Sequence, residues 1–237
     1  MRKSAKSIRD LVECLEALYG RPRMISRFEP MEELVSCILS QHTTDASSFP
    51  AFTKLRETYK DWQAVVDAGQ EHLADTIRGA GLANQKSKNI IGTLKEIKAR
   101  TGDYNLESLR KLPTLEARAW LMSLPGVGPK TASIVLCFAM GREAIPVDTH
   151  VYRVSWRLGL IPDDIGENKA HDLLLKLVPG DLAFRFHNTL IQHGRMICRA
   201  PLPICEECPV RDRCRWYKTG GPQKRRAELS LARKKVR

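Results

Sequence analysis

The sequence predicts an all-α protein, and three observations predict it. Apolar residues recur at helical spacing along most of the 237 residues. The breaks between these stretches carry glycine, proline or asparagine, which commonly end helices. No run of residues alternates convincingly between apolar and polar at the period of two that a half-buried strand shows. About a dozen short helices are therefore expected, in the segments 8–18, 30–39, 48–59, 61–67, 71–78, 84–99, 114–121, 129–140, 149–158, 167–176 and 181–193.

The boundaries of these elements follow from local signals in chain order. The first helix has apolar residues at spacings of three and four from Ile8 to Leu18, and Gly20 ends it. Pro30 opens the second helix, because proline is tolerated in a first helical turn. Later helices are separated by breaks at 79–81, 101–103, 124–126, 162–164 and 179–180. Past Gly220 the chain turns polar and basic, so this tail is expected to be flexible or at most a marginal helix.

The charge of the chain predicts an anionic partner. Lysine and arginine number 39 against 27 aspartate and glutamate, and residues 195–237 hold 13 of the former and 4 of the latter. Such a basic region is typical of nucleic-acid binding, although a solvated tail explains residues 221–237 equally well. The longest unbroken apolar stretch, 134–140, is too short to cross a bilayer. With a charged N-terminus in place of an apolar signal core, a cytoplasmic protein with no membrane partner is expected.

Four of the seven cysteines stand in one short window and predict a metal centre. Cys198, Cys205, Cys208 and Cys214 have the spacing C-x6-C-x2-C-x5-C. Four thiolates so close in sequence suit either a tetrahedral zinc ion or a cubane iron–sulfur cluster. The cluster is favoured, because the longer loops can wrap a larger group and zinc ribbons more often show two similar short pairs. The remaining three cysteines lie in apolar helical patterns and are interpreted as core residues.

A glycine-rich turn between two predicted helices indicates an anion-binding hairpin. The turn reads Leu124-Pro125-Gly126-Val127-Gly128-Pro129-Lys130-Thr131-Ala132. Its glycines allow backbone conformations that a side chain would hinder, and they let the main chain approach a ligand closely. The free N–H groups and the positive end of the following helix attract an anion. A helix-hairpin-helix that contacts a DNA phosphate through Gly126, Val127 and Gly128 is therefore expected.

Four segments of the chain resemble the endonuclease III family of helix-hairpin-helix DNA glycosylases with an iron–sulfur cluster. They are the hairpin, the run Val147-Asp148-Thr149-His150-Val151-Tyr152-Arg153-Val154, the run His193-Gly194-Arg195, and the cysteine spacing. Residues 81–90 match more weakly, and together the matches extend over about residues 30–217.

The resemblance implies an organisation, a cofactor and a partner. It implies a six-helix barrel domain with the helix-hairpin-helix at 26–142, and a discontinuous iron–sulfur cluster domain at 1–25 and 143–220. A basic C-terminal tail at 221–237 follows these domains. A [4Fe–4S] cluster on the four cysteines is implied, and the partner is double-stranded DNA containing damaged bases or abasic sites. A monomer associated with the nucleoid is expected.

The resemblance assigns catalysis to Lys130 and Asp148. Lys130 stands at the position of the family's Schiff-base lysine, and Asp148 at that of its catalytic aspartate. From the residues alone, Lys130 is better explained as a phosphate-binding or solvated lysine, and Asp148 is a good helix N-cap. A neutral lysine amine is a nucleophile, and a carboxylate could deprotonate it or stabilise positive charge on the sugar. Adenine glycosylases of the same superfamily resemble the chain here too but generally lack the lysine.

The turn after the second helix departs from the family pattern. The family usually has a glutamine that enters the duplex where the base is flipped out. Alignment on Thr44-Asp45 puts His42 at this position and Gln41 just before it. Either residue is therefore a candidate for the gap that the flipped base leaves, and the change puts the substrate preference in doubt.

Three further residues are candidate DNA contacts. His150 either meets a phosphate or forms a hydrogen bond within the core. Arg153, one turn further on, is either a DNA contact or a structural ion-pair partner. Arg199 is the only charged residue between the first two cysteines of the window, so this loop offers little phosphate contact. Compensation is expected from nearby arginines or the basic tail; these arginines are Arg211, Arg213 and Arg215.

The sequence thus predicts a bifunctional DNA glycosylase and AP lyase of base excision repair. The damaged nucleotide is expected to be flipped out, since its C1′ atom is inaccessible within the base stack. The resemblance suggests oxidised pyrimidines as substrates. One alternative is a glycosylase for mismatched or dimerised pyrimidines. Another is a non-catalytic iron–sulfur DNA-binding protein, against which the presence of both Lys130 and Asp148 argues.

Overall fold

The computed structural model describes residues 4–24 and 28–235 and shows an all-α protein, as the sequence predicts. Within these ranges no strand is present, and no helix is long and apolar enough to cross a membrane. The helices in chain order are α1 (Ala5–Tyr19), α2 (Pro30–Ser40), α3 (Asp45–Thr58), α4 (Trp62–Asp67), α5 (Gly69–Thr76), α6 (Ala83–Thr101), α7 (Thr114–Met122), α8 (Pro129–Ile134), α9 (Thr149–Leu158), α10 (Glu167–Leu177), α11 (Ala183–Met196), α12 (Arg215–Lys218) and α13 (Gly221–Lys235).

The chain divides into two compact units. The middle unit is Ile25–Ala144, and the terminal unit is Met1–Met24 together with Ile145–Arg237. The middle unit therefore holds α2 to α8, and the terminal unit holds α1 and α9 to α13.

The middle unit is built around buried aliphatic residues of α2, α3 and α6. Leu34, Ile38, Leu55, Ile90 and Leu94 are fully buried. Leu34 and Ile38 in α2, and Ile90 and Leu94 in α6, stand four residues apart, which places each pair on one face of its helix. Short 3-10 turns at Arg78–Ala80 and Glu107–Lys111 connect the helices, and α8 passes into a π-helical turn at Val135–Ala139.

The terminal unit packs α11 against α1 and against α9, and it packs α10 against α9. Its core includes Leu11 and Leu15 of α1, Val154 of α9 and Phe186 of α11. A largely buried ion pair joins α1 to α11, since Arg185 of α11 donates through Nε to Oε1 of Glu16 on α1 at 2.7 Å. The cysteine window follows α11 and leads into α12.

The basic tail, expected to be a flexible segment or a marginal helix, is helical, and α13 runs from Gly221 to Lys235. Gly221 lies against the ring of Trp216, where any side chain would collide with the indole. Pro222 suits a first helical turn, and Arg225 donates to Glu228 at 2.8 Å one turn later. The anchored start and this pair favour the helix over the flexible segment.

Candidate functional site

The hairpin between α7 and α8 has a left-handed residue at its centre. Gly126 has a φ of +73°, and a Cβ there would lie 2.9 Å from Cβ of Asn89. Glycine adopts this backbone conformation without strain, and it has no Cβ to collide with Asn89. Oγ1 of Thr93 on α6 donates to the carbonyl oxygen of Pro125 at 2.8 Å, so α6 holds the hairpin through a side-chain hydrogen bond. Gly126 is exposed, whereas Val127 is 6% exposed and anchors the turn.

Lys130 follows the hairpin as the second residue of α8. Gly128 is the N-cap of this helix and Pro129 opens it, which agrees with the predicted start. The side chain of Lys130 is exposed. Its amine is therefore accessible to a ligand that binds the hairpin.

The turn after α2 brings Gln41 and His42 into contrasting positions. Nε2 of Gln41 donates to the carbonyl oxygen of Gly126 at 2.8 Å, which ties this turn to the hairpin. His42 is exposed and has a φ of +53°, in the left-handed region. Because non-glycine residues adopt such backbone at a cost, this turn is held by its surroundings.

Asp148 caps α9, as the residues alone suggested. Its Oδ1 accepts a hydrogen bond from the backbone N–H of Val151 at 2.7 Å. The preceding backbone is fixed by two buried histidines. Nδ1 of His187 lies 2.8 Å from the carbonyl oxygen of Pro146, and Nε2 of His171 accepts from the N–H of Val147 at 3.0 Å. Asp148 is thus held in one orientation by its cap and by the segment before it.

The sequence did not single out these two histidines. His171 stands beside the buried Ala170 and Leu174 in α10, and His187 beside the buried Phe186 and Leu190 in α11. A histidine within an apolar helical pattern was the available signal, because a buried imidazole needs a hydrogen-bond partner.

Arg153 links α9 to α11 and to the start of the cysteine window. Nη2 donates to the carbonyl oxygen of Gly194 at 2.9 Å and lies 3.0 Å from Nδ1 of His150, while Nε donates to the carbonyl oxygen of Cys198 at 3.1 Å. A Cβ on Gly194 would lie 2.9 Å from Cβ of His150. The run His193-Gly194-Arg195 therefore contains a glycine because α9 and α11 cross closely there.

The four window cysteines line one cavity of the terminal unit. Nη1 of Arg157 donates to Sγ of Cys198 at 3.4 Å, and Nε2 of His193 lies 3.6 Å from Sγ of Cys208. Burial raises the pKa of Cys205 to about 11 and that of Cys208 to about 12, while it lowers the pKa of His193 to about 4. Among the described side chains, no three histidine, cysteine or carboxylate groups converge to hold a single metal ion. The metal centre in this window stays a prediction.

The arginines near the window occupy different environments. Arg199 is exposed, and its carbonyl oxygen accepts from Nη1 of Arg157 at 2.9 Å. Arg211 and Arg213 are also exposed. Arg215 instead pairs with Asp163, which leaves it less available to an external anion.

Among the middle-unit candidates, the structure brings Gln41 into contact with the hairpin. Gln41 contacts Gly126 of the hairpin, and Lys130 follows this hairpin in the first turn of α8. Asp148, His150, Arg153 and the cysteine window lie in the terminal unit.

Comparisons with known proteins agree with these features. The family model described as the HhH-GPD superfamily base excision DNA repair protein matches residues 35–180. Endonuclease III of Thermotoga maritima is 35% identical over 200 residues, which cover 84% of this chain and 89% of the relative. Endonuclease III of Escherichia coli K12 is 38% identical over 189 residues, covering 79% and 84%. The solved structure of a trapped endonuclease III–DNA covalent intermediate aligns with a TM-score of 0.75 and 31% identity, covering 91% and 98%.

Proposed function

This chain belongs to the HhH-GPD superfamily of base excision DNA repair proteins, and we propose the residues through which it acts. It is a DNA glycosylase with AP-lyase activity, like the endonuclease III proteins that it resembles over most of its length. The proposal extends to a monomer that acts on chromosomal DNA in the cytoplasm. The middle unit then serves as its barrel domain and the terminal unit as its cluster domain.

Lys130 is the proposed nucleophile. The observation that carries this assignment is its place, exposed in the first turn of α8 directly after the glycine hairpin. Its neutral amine forms a bond to C1′ of the damaged nucleotide while the bond from C1′ to the base breaks. The base leaves with the bonding electrons and takes up a proton, and the sugar opens to a Schiff base. Loss of a proton from C2′ then expels the 3′ phosphate, which cuts the strand.

Asp148 is the proposed charged partner of this chemistry. Its carboxylate either takes a proton from the lysine ammonium or stabilises the positive charge that develops on the sugar as the base leaves. The cap to Val151 uses Oδ1, so the second carboxylate oxygen stays available to accept another hydrogen bond. Capping and catalysis are thus compatible in one side chain.

His42 is the proposed residue that enters the gap left by the flipped base. Gln41 has its amide engaged with the carbonyl oxygen of Gly126, whereas His42 is exposed at the tip of the turn. An imidazole can stack on neighbouring bases and form a hydrogen bond with the unpaired partner base. Gln41 then acts by holding the turn against the hairpin.

The remaining DNA contacts are proposed to be phosphate contacts. Gly126 and Gly128 would offer backbone N–H groups to one phosphate at the start of α8, and Val127, whose N–H donates to the carbonyl oxygen of Leu124 at 3.2 Å, would hold the turn between them. His150 and Arg199 would add contacts from the terminal unit. Arg153 donates to the carbonyl oxygens of Gly194 and Cys198, so a phosphate contact from it would use its remaining donor capacity.

A [4Fe–4S] cluster is the proposed group in the cysteine window. The residues fit its chemistry, because Cys198, Cys205, Cys208 and Cys214 supply four thiols around one cavity, one for each iron. When bound, the cluster cross-links this loop, and base removal requires no electron transfer. Protein purified without oxygen should contain about four irons per chain, and stoichiometric zinc without iron would exclude the cluster.

Oxidised pyrimidines are the proposed substrates, and a panel of single-lesion duplexes tests them. Each duplex carries one oxidised pyrimidine, one mismatched thymine, one pyrimidine dimer or one abasic site in the same sequence. Strand cleavage should be fastest at the abasic site and the oxidised pyrimidine, with Lys130→Ala as the inactive control. Faster cleavage at the mismatch or the dimer would replace the proposed substrate by that lesion.

A further inference from the structure

Lys86 is a buried cation on the apolar face of α6. Its side chain is 3% exposed and shares that face with the fully buried Ile90 and Leu94. Nζ donates to the carbonyl oxygen of Leu39 at 2.6 Å and to that of Ala80 at 2.7 Å. In residues 4–24 and 28–235 no carboxylate forms an ion pair with Lys86, and burial lowers the pKa of its ammonium. A methionine could fill similar space without the cost of desolvating a charge. The presence of a buried lysine at this position therefore needs an explanation.

The two carbonyl oxygens belong to the ends of two neighbouring elements. Leu39 lies in the last turn of α2, where carbonyl groups lack helical partners, and Ala80 ends a 3-10 turn. An ammonium at a helix C-terminus also offsets the negative end of the helix dipole. Nζ of Lys86 therefore links the end of α2 to the end of this 3-10 turn.

Each of these ends leads directly into a residue with left-handed backbone. His42 follows Leu39 by three residues and has a φ of +53°, and Leu82 follows Ala80 by two residues and has a φ of +49°. Both side chains are exposed, that of Leu82 by 60%. Such backbone in non-glycine residues persists only where the surrounding structure imposes it. Lys86 thus binds the carbonyl oxygens that lie three residues before His42 and two residues before Leu82.

The same face of α6 also supports the hairpin. Asn89 and Thr93 stand three and seven residues after Lys86, which places all three on one side of the helix. Asn89 packs against Gly126, and Thr93 donates to the carbonyl oxygen of Pro125. One helix face thus fixes the turn after α2, the turn before α6 and the hairpin.

We propose that Lys86 is a positioning residue for DNA recognition, whose ammonium fixes the end of α2 so that His42 is presented to the gap in the duplex. This inference rests on the proposed function, which places His42 in that gap. The ammonium suits the role because its donors reach two carbonyl oxygens at once, which a neutral aliphatic side chain cannot do.

The test compares binding to two duplexes of the same sequence, one undamaged and one with a tetrahydrofuran abasic analogue. Fluorescence anisotropy gives the ratio of the two affinities for wild type, Lys86→Met, His42→Ala and the double variant. Lys86→Met should lower the ratio on the order of tenfold, as expected for the loss of two charge-assisted hydrogen bonds. In the His42→Ala background the same change should lower it less than about twofold, because Lys86 acts through His42. Lys88→Met is the matched control, since Lys88 is an exposed lysine on the same helix and its loss should leave the ratio unchanged.

Two results with a folded Lys86→Met would overturn the proposal. One is an unchanged ratio in Lys86→Met, and the other is a loss of equal size with and without His42. If Lys86→Met does not fold by circular dichroism, Lys86→Gln replaces it, because its amide is polar but uncharged and one atom shorter, so that it cannot hold both carbonyl oxygens as the ammonium does. A folded Lys86→Gln with a wild-type ratio, or a failure of both variants to fold, would assign Lys86 to the fold alone. A wild-type protein that shows no preference for the abasic analogue would instead contradict the proposed function.

Discussion

The turns of the middle unit and the segment around Asp148 are held in opposite ways. In the middle unit, the exposed residues Lys130 and His42 stand on backbone that α6 fixes through buried polar side chains. In the terminal unit, Asp148 itself is engaged in a cap, and buried histidines fix the backbone before it. The first arrangement leaves the side chains proposed to act on DNA accessible on a fixed backbone. The second orients the proposed catalytic carboxylate directly, so changes in the two regions should have different consequences.

The largest effect is expected for Asp148→Asn. Asparagine caps helices as well as aspartate, so the fold and the binding of undamaged DNA should persist. Base excision should fall on the order of 10²–10³-fold, because the amide carries no charge to stabilise a developing cation or to accept a proton. Single-turnover excision from an oxidised-pyrimidine duplex measures the loss. Near-wild-type excision would show that Asp148 is only a helix cap and has no part in catalysis.

The next effect is expected at the hairpin, for Gly126→Ala. The added Cβ meets the side chain of Asn89 at a φ of +73°, so the free energy of unfolding should fall by about 2–3 kcal/mol. DNA affinity should fall with it. Gly128→Ala is the matched control, because its backbone is extended and no atom lies within 4 Å of a Cβ there. Its destabilisation in a denaturant titration should stay within about 1 kcal/mol, and equal destabilisation at both glycines would contradict the role of α6.

A smaller effect is expected in the terminal unit, for Gly194→Ala. In an uncrowded helix this change is favourable, but here the methyl group would lie 2.9 Å from Cβ of His150. Overpacking between α9 and α11 should lower the free energy of unfolding by about 1–2 kcal/mol. Gly79→Ala, with no atom within 4 Å of its Cβ, should change it by no more than about 0.5 kcal/mol in the same titration. A stabilised Gly194→Ala would show that the two helices do not need this close approach.

The smallest effect is expected on α13. Lys224 and Arg226 are exposed, and replacing both with glutamine should leave excision of a saturating substrate unchanged. If both side chains neutralise phosphates, the slope of log affinity against log salt should become shallower by about 0.9 for each of the two substitutions. Lys60→Gln with Lys111→Gln controls for net charge. An unchanged slope would mean that α13 is a solvated helix.

The sequence predicts the parts of this comparison that depend on spacing. Helical periodicity identifies α2, α6, α8 and α9, and the hairpin motif places Lys130 at the start of α8. Long-range partners are different, since Gln41 and Gly126 are 85 residues apart and nothing local indicates their bond. The sequence alone therefore leaves Gln41 and His42 as equal candidates.

The roles of buried polar residues could not be predicted from the sequence. Lys86 stands four and eight residues before Ile90 and Leu94, so its position on the apolar face of α6 was visible. Its partners were not, because two backbone carbonyl groups leave no trace in the sequence. The histidines that fix the backbone before Asp148 were missed for the same reason. The sequence left both a flexible tail and a marginal helix open for α13, because its composition is polar and its anchor, Trp216, lies outside the segment.

The central claim is that Lys130, accessible on a fixed backbone, forms the covalent bond to DNA. An amine on C1′ gives an imine that borohydride reduces to a stable adduct, whereas attack by water gives none. Wild type and Lys88→Ala, incubated with an abasic duplex and borohydride, should each yield a protein–DNA cross-link, and peptide mapping should place it on Lys130. Lys130→Ala should yield none while it still binds the duplex. A full yield of cross-link from Lys130→Ala, through another residue, would contradict the account.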